Sequence, residues 1–240
     1  MESSISVPSN AVLPVKSSDS SYLLFLRDAA AAVTNHVDHA VELIKSKKLG
    51  IGKWHPTGFA TFEVVSIDGL GLMRLHFWPS GLRKVLPGHP QIHKHCFQLY
   101  SRILAGEYME SQYESHEVAL DTLNGPEAGY SRLREFLVEP NFGDGVDRLK
   151  DSGRWKDVKP VFSGLRFPAG SWHEIEVGQF HSTPIPKCEF CVTLAVLSLP
   201  VKGTDDALLG SATFNTLTNR RPIVSEEETR ILCQQYKHTV

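Results

Sequence analysis

From Tyr22 to Lys48, the apolar residues Leu23, Leu26, Ala30, Val33, Val37, Val41 and Ile44 recur every three or four positions. That period predicts an amphipathic helix, or two helices broken near Asn35. The run KSKKLG puts cations at its C-terminal end and offers Gly50 as a stop. Beyond Gly50 the alternation tightens to two. FATFEVVSI and LMRLHFWPSG, joined by DGLG, read as two strands and a tight turn. HKHCFQLYSRILAGEYMESQYE reads as a longer strand pair breaking at Gly106. VKPVFSGLRFPAGSWHEIEVG, CEFCVTLAVLSLP and GSATFNTLT continue the β-pattern. Ser225, followed three residues later by Glu228, is a capping box that opens a last helix over 225–237.

The pattern predicts a mainly β chain with a helix at each end, arranged as a closed or nearly closed antiparallel barrel or sandwich. Residues 1–20 read as a disordered lead-in and 21–240 as a single domain. Within it, 21–50 is helical and about 59–218 forms the barrel. Residues 121–159, rich in Gly, Pro and charge, read as an insertion or long loop with a short helix in GYSRLREFLV.

Composition narrows the function classes. The chain has 240 residues, 41% hydrophobic and 22% charged, with a formal net charge of -2. No basic stripe recruits nucleic acid, and no segment has the apolar length of a membrane span. The N-terminus lacks the basic region and apolar run of a secretory signal, so a cytoplasmic location is expected. The four cysteines do not form a disulfide framework in a chain this size. The CEFC pair, Cys188 and Cys191, invites a zinc or redox reading, but buried or partly buried thiols are the plainer expectation.

Candidate chemistry gathers on two stretches. His93 and His95 are two apart on a strand and share a face with Phe97 and Leu99. Pro168 and Gly170 make a bend that delivers His173 at the start of a strand, where it could complete a metal site with His93 and His95. His181, after the following turn, is a candidate fourth ligand, proton donor or ordinary loop residue. Arg74, His76 and Trp78 share one face of a strand, with Met73, Leu75 and Phe77 on the other. If the first face looks inward, Arg74 and His76 could hold a substrate carboxylate; with the apolar face inward, it lies in solvent. Arg102 and Arg166 are candidates at the rim.

These residues resemble the two motifs of the cupin superfamily. Gly88, four rather than the motif's five intervening residues, His93-Lys94-His95 and Gly106 correspond to the first, and Pro168-Ala169-Gly170-Ser171-Trp172-His173 matches the second. The likeness covers roughly residues 59 to 200. Leu99 stands where the first motif places its glutamate, and Val177 where the second has asparagine. The resemblance implies a cupin-type jelly-roll barrel and a ligand set of His93, His95 and His173, like that of cupin-type thiol dioxygenases. It implies Fe(II), with Zn, Mn or Ni as alternatives, and a small anionic substrate with dioxygen; it also admits a homodimer. The activity implied is a non-heme iron dioxygenase. A zinc or manganese isomerase, lyase or hydrolase, or a non-catalytic ligand-binding cupin, stays open, since a fold does not fix an activity.

Overall fold

The structure is a computed structural model that describes residues 20–118, 125–139, 145–211 and 216–240. The expected lead-in over 1–20 lies outside the described residues but for Ser20. The first described element is helix α1 (Ser20–Ser46). Five strands follow: β1 (Lys53–Trp54), β2 (Thr57–Gly58), β3 (Ala60–Ile67), β4 (Gly71–Trp78) and β5 (Lys84–Val85). Next come β6 (Ile92–Lys94), β7 (Leu99–Val118), β8 (Ser131–Glu139), β9 (Val146–Pro168), β10 (Trp172–Ile175) and β11 (Phe180–Ser182). The last elements are β12 (Cys191–Ser198), β13 (Ala207–Gly210), β14 (Thr216–Arg220) and helix α2 (Glu226–Thr239). The protein is therefore mainly β with a helix at each end, as its pattern predicts.

Helix α1 runs without a break at Asn35, and it stops before Gly50. Lys47 takes the left-handed conformation (φ 57°). The Lys48 amide then donates to the Leu43 carbonyl at 2.9 Å and the Lys47 amide to Ile44 at 3.2 Å, a Schellman closure that satisfies the final carbonyls. The buried stripe is Tyr22, Phe25, Ala29, Val33, Ala40 and Ile44. It is shifted one position from the expected one at the N-terminal end, where the two aromatics turn inward and Leu23 stays in solvent. The Tyr22 hydroxyl donates to the Glu174 carboxylate at 2.9 Å, which pins that end. Helix α2 has the predicted capping box, with the Glu228 amide donating to the Ser225 hydroxyl at 3.2 Å.

Among the described residues, all strand pairings are antiparallel. One group runs β1–β3–β4–β12–β7, with β10 on the far side of β7. A second runs β7–β11–β6–β13–β8–β9, and β9 pairs back to β7. Strand β7 belongs to both. Its first part, Leu99–Gly106, pairs with β12, and its second, from Glu107, pairs with β9. Gly106 is the pivot between the two. Its φ is 70°, and an added Cβ would lie 1.9 Å from the Phe190 carbonyl oxygen, so no other residue fits.

The stretch expected to be a loop with a short helix is built differently. Ser131–Glu139 is strand β8, paired with β13 and β9, and the segment from Val146 is the start of β9. Two long neighbours give β8 a full set of backbone partners, and that non-local pairing outweighs the helix-forming residues of its own sequence. Residues 121–124 and 140–144 of the insertion lie outside the described set.

The helices cover one face of the β3–β4–β12–β7 sheet. Phe25, Ala29, Val33 and Ile44 of α1 and Leu232, Cys233 and Tyr236 of α2 pack with Phe62, Met73, Leu75, Phe77, Val192, Leu194 and Val196. The opposite face of the same strands is turned toward the cavity described next. No helix among the described residues is long and apolar enough to cross a membrane.

Candidate metal centre

The site is built where strand period, a bend and a cross-strand register coincide. His93 sits in β6, and His95 follows two residues later on the same side, with Phe97 and Leu99 continuing along it. All four line one cavity of about 140 Å³. Strand β11 places His181 directly opposite His93 in the antiparallel pair. Residues in register across such a pair are side-chain neighbours. Ring centroids are 4.3 Å apart for His93 and His181, 4.9 Å for His93 and His95, and 5.2 Å for His95 and His181. One nitrogen from each ring lies within 4.8 Å of the other two.

The backbone orients two of these rings. His93 Nδ1 lies 2.9 Å from the Gln91 carbonyl oxygen, and His181 Nδ1 lies 3.1 Å from that of Gln179. A carbonyl only accepts, so each Nδ1 carries the proton and each Nε2 keeps a lone pair. His95 Nδ1 has the Asp206 carboxylate 3.8 Å away, and that carboxylate also accepts from the Cys96 amide at 2.7 Å. This is how metal-ligating imidazoles are held, by partners on the nitrogen that faces away from the ion. Burial, with the neighbouring His95, pushes the His93 imidazole down to about 3. Burial and the other two rings hold His181 well below its ordinary value. Both are therefore neutral and free to donate at neutral pH. The donor set fits a divalent transition metal.

The expected third ligand, His173, stands elsewhere. The bend forms as predicted: Gly170 has φ 86°, and the Ser171 amide donates to the Pro168 carbonyl at 3.0 Å. It delivers His173 into β10, which pairs with β7 rather than with β6. There His173 Nε2 bonds the buried Glu110 carboxylate, and Nδ1 lies 3.4 Å from the Ser101 hydroxyl. The rings of Tyr108 and Phe167 close on it at 4.4 and 4.9 Å. Burial alone would raise the Glu110 carboxyl, but His173, His181 and the Gln112 amide hold it below its ordinary value. His173 thus lines the same cavity but pairs with a carboxylate, and His181 takes the place expected for it in the cluster.

The remaining candidates divide. Arg74 and His76 face the cavity, together with Trp78, so the inward arrangement of that face holds. Burial, then Arg74 and His95, brings His76 down to about 3. Arg102 does not reach the cavity. Its neighbours Ser101 and Ile103 point inward, so it points out and stacks on Trp172 at 5.2 Å. Arg166 is about half exposed and pairs with Glu107. His55 lies between β1 and β2; its ring stacks on Phe59 at 4.4 Å and sits 6.1 Å from His93 in the cavity wall. Cys188 is exposed and Cys191 buried, and all four thiols are free. Arg221 also lines the cavity, held by Asp147 in a two-point pair at 2.7 and 2.8 Å.

Comparison of the chain with models of known protein families finds no match, and no curated protein matches it significantly.

Proposed function

We propose that the protein is a metal-dependent oxygenase of cupin-like architecture, holding Fe(II) at His93, His95 and His181 and acting on a small anionic molecule. The observation that carries this reading is the triad itself: three imidazoles, at least two with the free Nε2 fixed by a backbone carbonyl, at the wall of an internal cavity. The cavity is lined from both strand groups, by β4, β12 and β7 of the first and by β6 and β11 of the second, an arrangement that suits a cupin-like jelly roll. A ferrous ion bound there would supply open positions for dioxygen and substrate, and the redox chemistry. The chain's own residues do the rest. Phe97, Leu99, Ile175 and Phe59 exclude water from the cavity. A ligand set without a carboxylate leaves the ion's full charge to attract an anion.

A second reading, a zinc or manganese isomerase, lyase or hydrolase, has one observation in its favour. The buried Glu110–His173 pair shares the cavity, and such a pair can hold and move a proton at His173 Nε2.

The test is to load the protein with iron under anaerobic conditions and follow oxygen consumption across a panel of small carboxylates, thiols and enolisable ketones. Uptake that depends on one class and disappears in His181→Ala supports the oxygenase. Turnover without oxygen consumption by zinc- or manganese-loaded protein supports the second reading instead.

A further inference from the structure

Across the cavity face of the sheet, strand register lines up Glu63, Arg74, Ala195, Ser101 and His173 in one row. Arg74 is the cation of that row and is poorly satisfied. Its guanidinium has five N–H groups. One goes to Glu63, 3.2 Å from Nη2, on a carboxylate that is mostly in solvent. Among the described residues, Arg74 Nε is the one buried side-chain nitrogen or oxygen without a hydrogen-bond partner. The other arginines near the site are engaged: Arg221 at two points by Asp147, Arg102 on the face of Trp172. A buried donor without an acceptor is rare in a folded protein and calls for one.

The surroundings say what that acceptor is. Ala195, next to Arg74 in the row, is fully buried and brings no side-chain acceptor to it, while Arg74 itself lines the cavity. His76, two residues further along β4, lines the same cavity as Arg74 and the three histidines of the triad. The stretch from Arg74 to the triad is therefore one continuous space. Its volume, about 140 Å³, is that of a cavity that takes a molecule of roughly six non-hydrogen atoms.

We infer that Arg74 is the docking residue for the substrate's carboxylate, and that the substrate is a short-chain carboxylic acid whose other end reaches the metal. This rests on the metal-centre reading for the second end alone. An arginine presents its N–H groups in a planar fork that matches a carboxylate, which selects it over other small anions such as chloride.

The test is titration calorimetry of malonate, succinate, glutarate and butyrate against cobalt-loaded and metal-free protein, as wild type, Arg74→Gln and Arg74→Lys. Arg74→Gln should weaken the tightest-binding acid at least tenfold in both metal states while cobalt content stays unchanged. Arg74→Lys, which keeps the charge and loses the planar fork, should weaken it similarly and serves if Arg74→Gln does not fold. Binding within twofold of wild type in a folded variant overturns the proposal, as does a wild type that binds none of the four acids. If the wild type takes up no cobalt, the metal-centre reading falls, and the metal-free titrations still decide the role of Arg74.

Discussion

The two faces of strand β4 make opposite use of the same eight residues. Met73, Leu75 and Phe77 sit fully buried beneath α1 and α2, while Arg74, His76 and Trp78 alternate with them and line the cavity. The helix face is dry and closed by shape. The cavity face carries an unpartnered guanidinium nitrogen and an imidazole that burial keeps neutral, features that cost stability and that a scaffold would do without. The same division continues on β12, where Val192, Leu194 and Val196 pack under the helices, and Thr193 and Leu197 line the cavity. The lesson is that a polar stripe on a strand need not face bulk water: it can face a site.

If that contrast is right, the two faces respond differently to change. The largest effect on stability is expected on the helix face. Phe77→Ala should cost about 3–5 kcal/mol in denaturant unfolding and leave metal uptake intact at temperatures where the protein stays folded. An equal loss of metal would blur the distinction.

Acid should strike the other face. His76 and His93 are depressed to about 3 in the folded protein, against 6.5 for the ordinary group. The unfolded chain therefore binds more protons below pH 6.5. The stability these groups contribute is complete above that value and falls as pH drops toward 3. Each imidazole should cost roughly 2 kcal/mol between pH 7 and pH 5 in metal-free protein. Metal should blunt the part due to His93. A melting temperature that does not fall between pH 7 and pH 5 would contradict the buried, neutral imidazoles.

Smaller effects sharpen the comparison. Ser225→Ala removes the cap of the helix over the dry face and should cost about 1 kcal/mol, with no change in metal content. Arg74→Met replaces a half-satisfied guanidinium with an apolar chain and should be close to neutral, or slightly stabilising. A large destabilisation by Arg74→Met would mean that the residue serves the fold and not the site.

How much of this was legible in the sequence depends on whether a signal is local. Period two alone puts His93, His95, Phe97 and Leu99 on one face, and the Pro168–Gly170 bend announces the entry of His173. The cap at Ser225 is written in four residues. His181 is different. Its place opposite His93 comes from the pairing of β11 with β6, a register between segments 88 positions apart that no local pattern encodes. Arg74 and His76 were readable as a shared face, but not its direction, because both faces of β4 are covered. Strand β8 was hidden for a related reason: its charged residues suit a helix surface, and only its neighbours β9 and β13 make it a strand.

The most direct measurement is metal stoichiometry of the wild type, His181→Ala and His173→Ala, each purified anaerobically and reconstituted with iron. The geometry predicts near-stoichiometric metal in the wild type and in His173→Ala, and loss in His181→Ala. Metal kept by His181→Ala and lost by His173→Ala would contradict the triad of His93, His95 and His181.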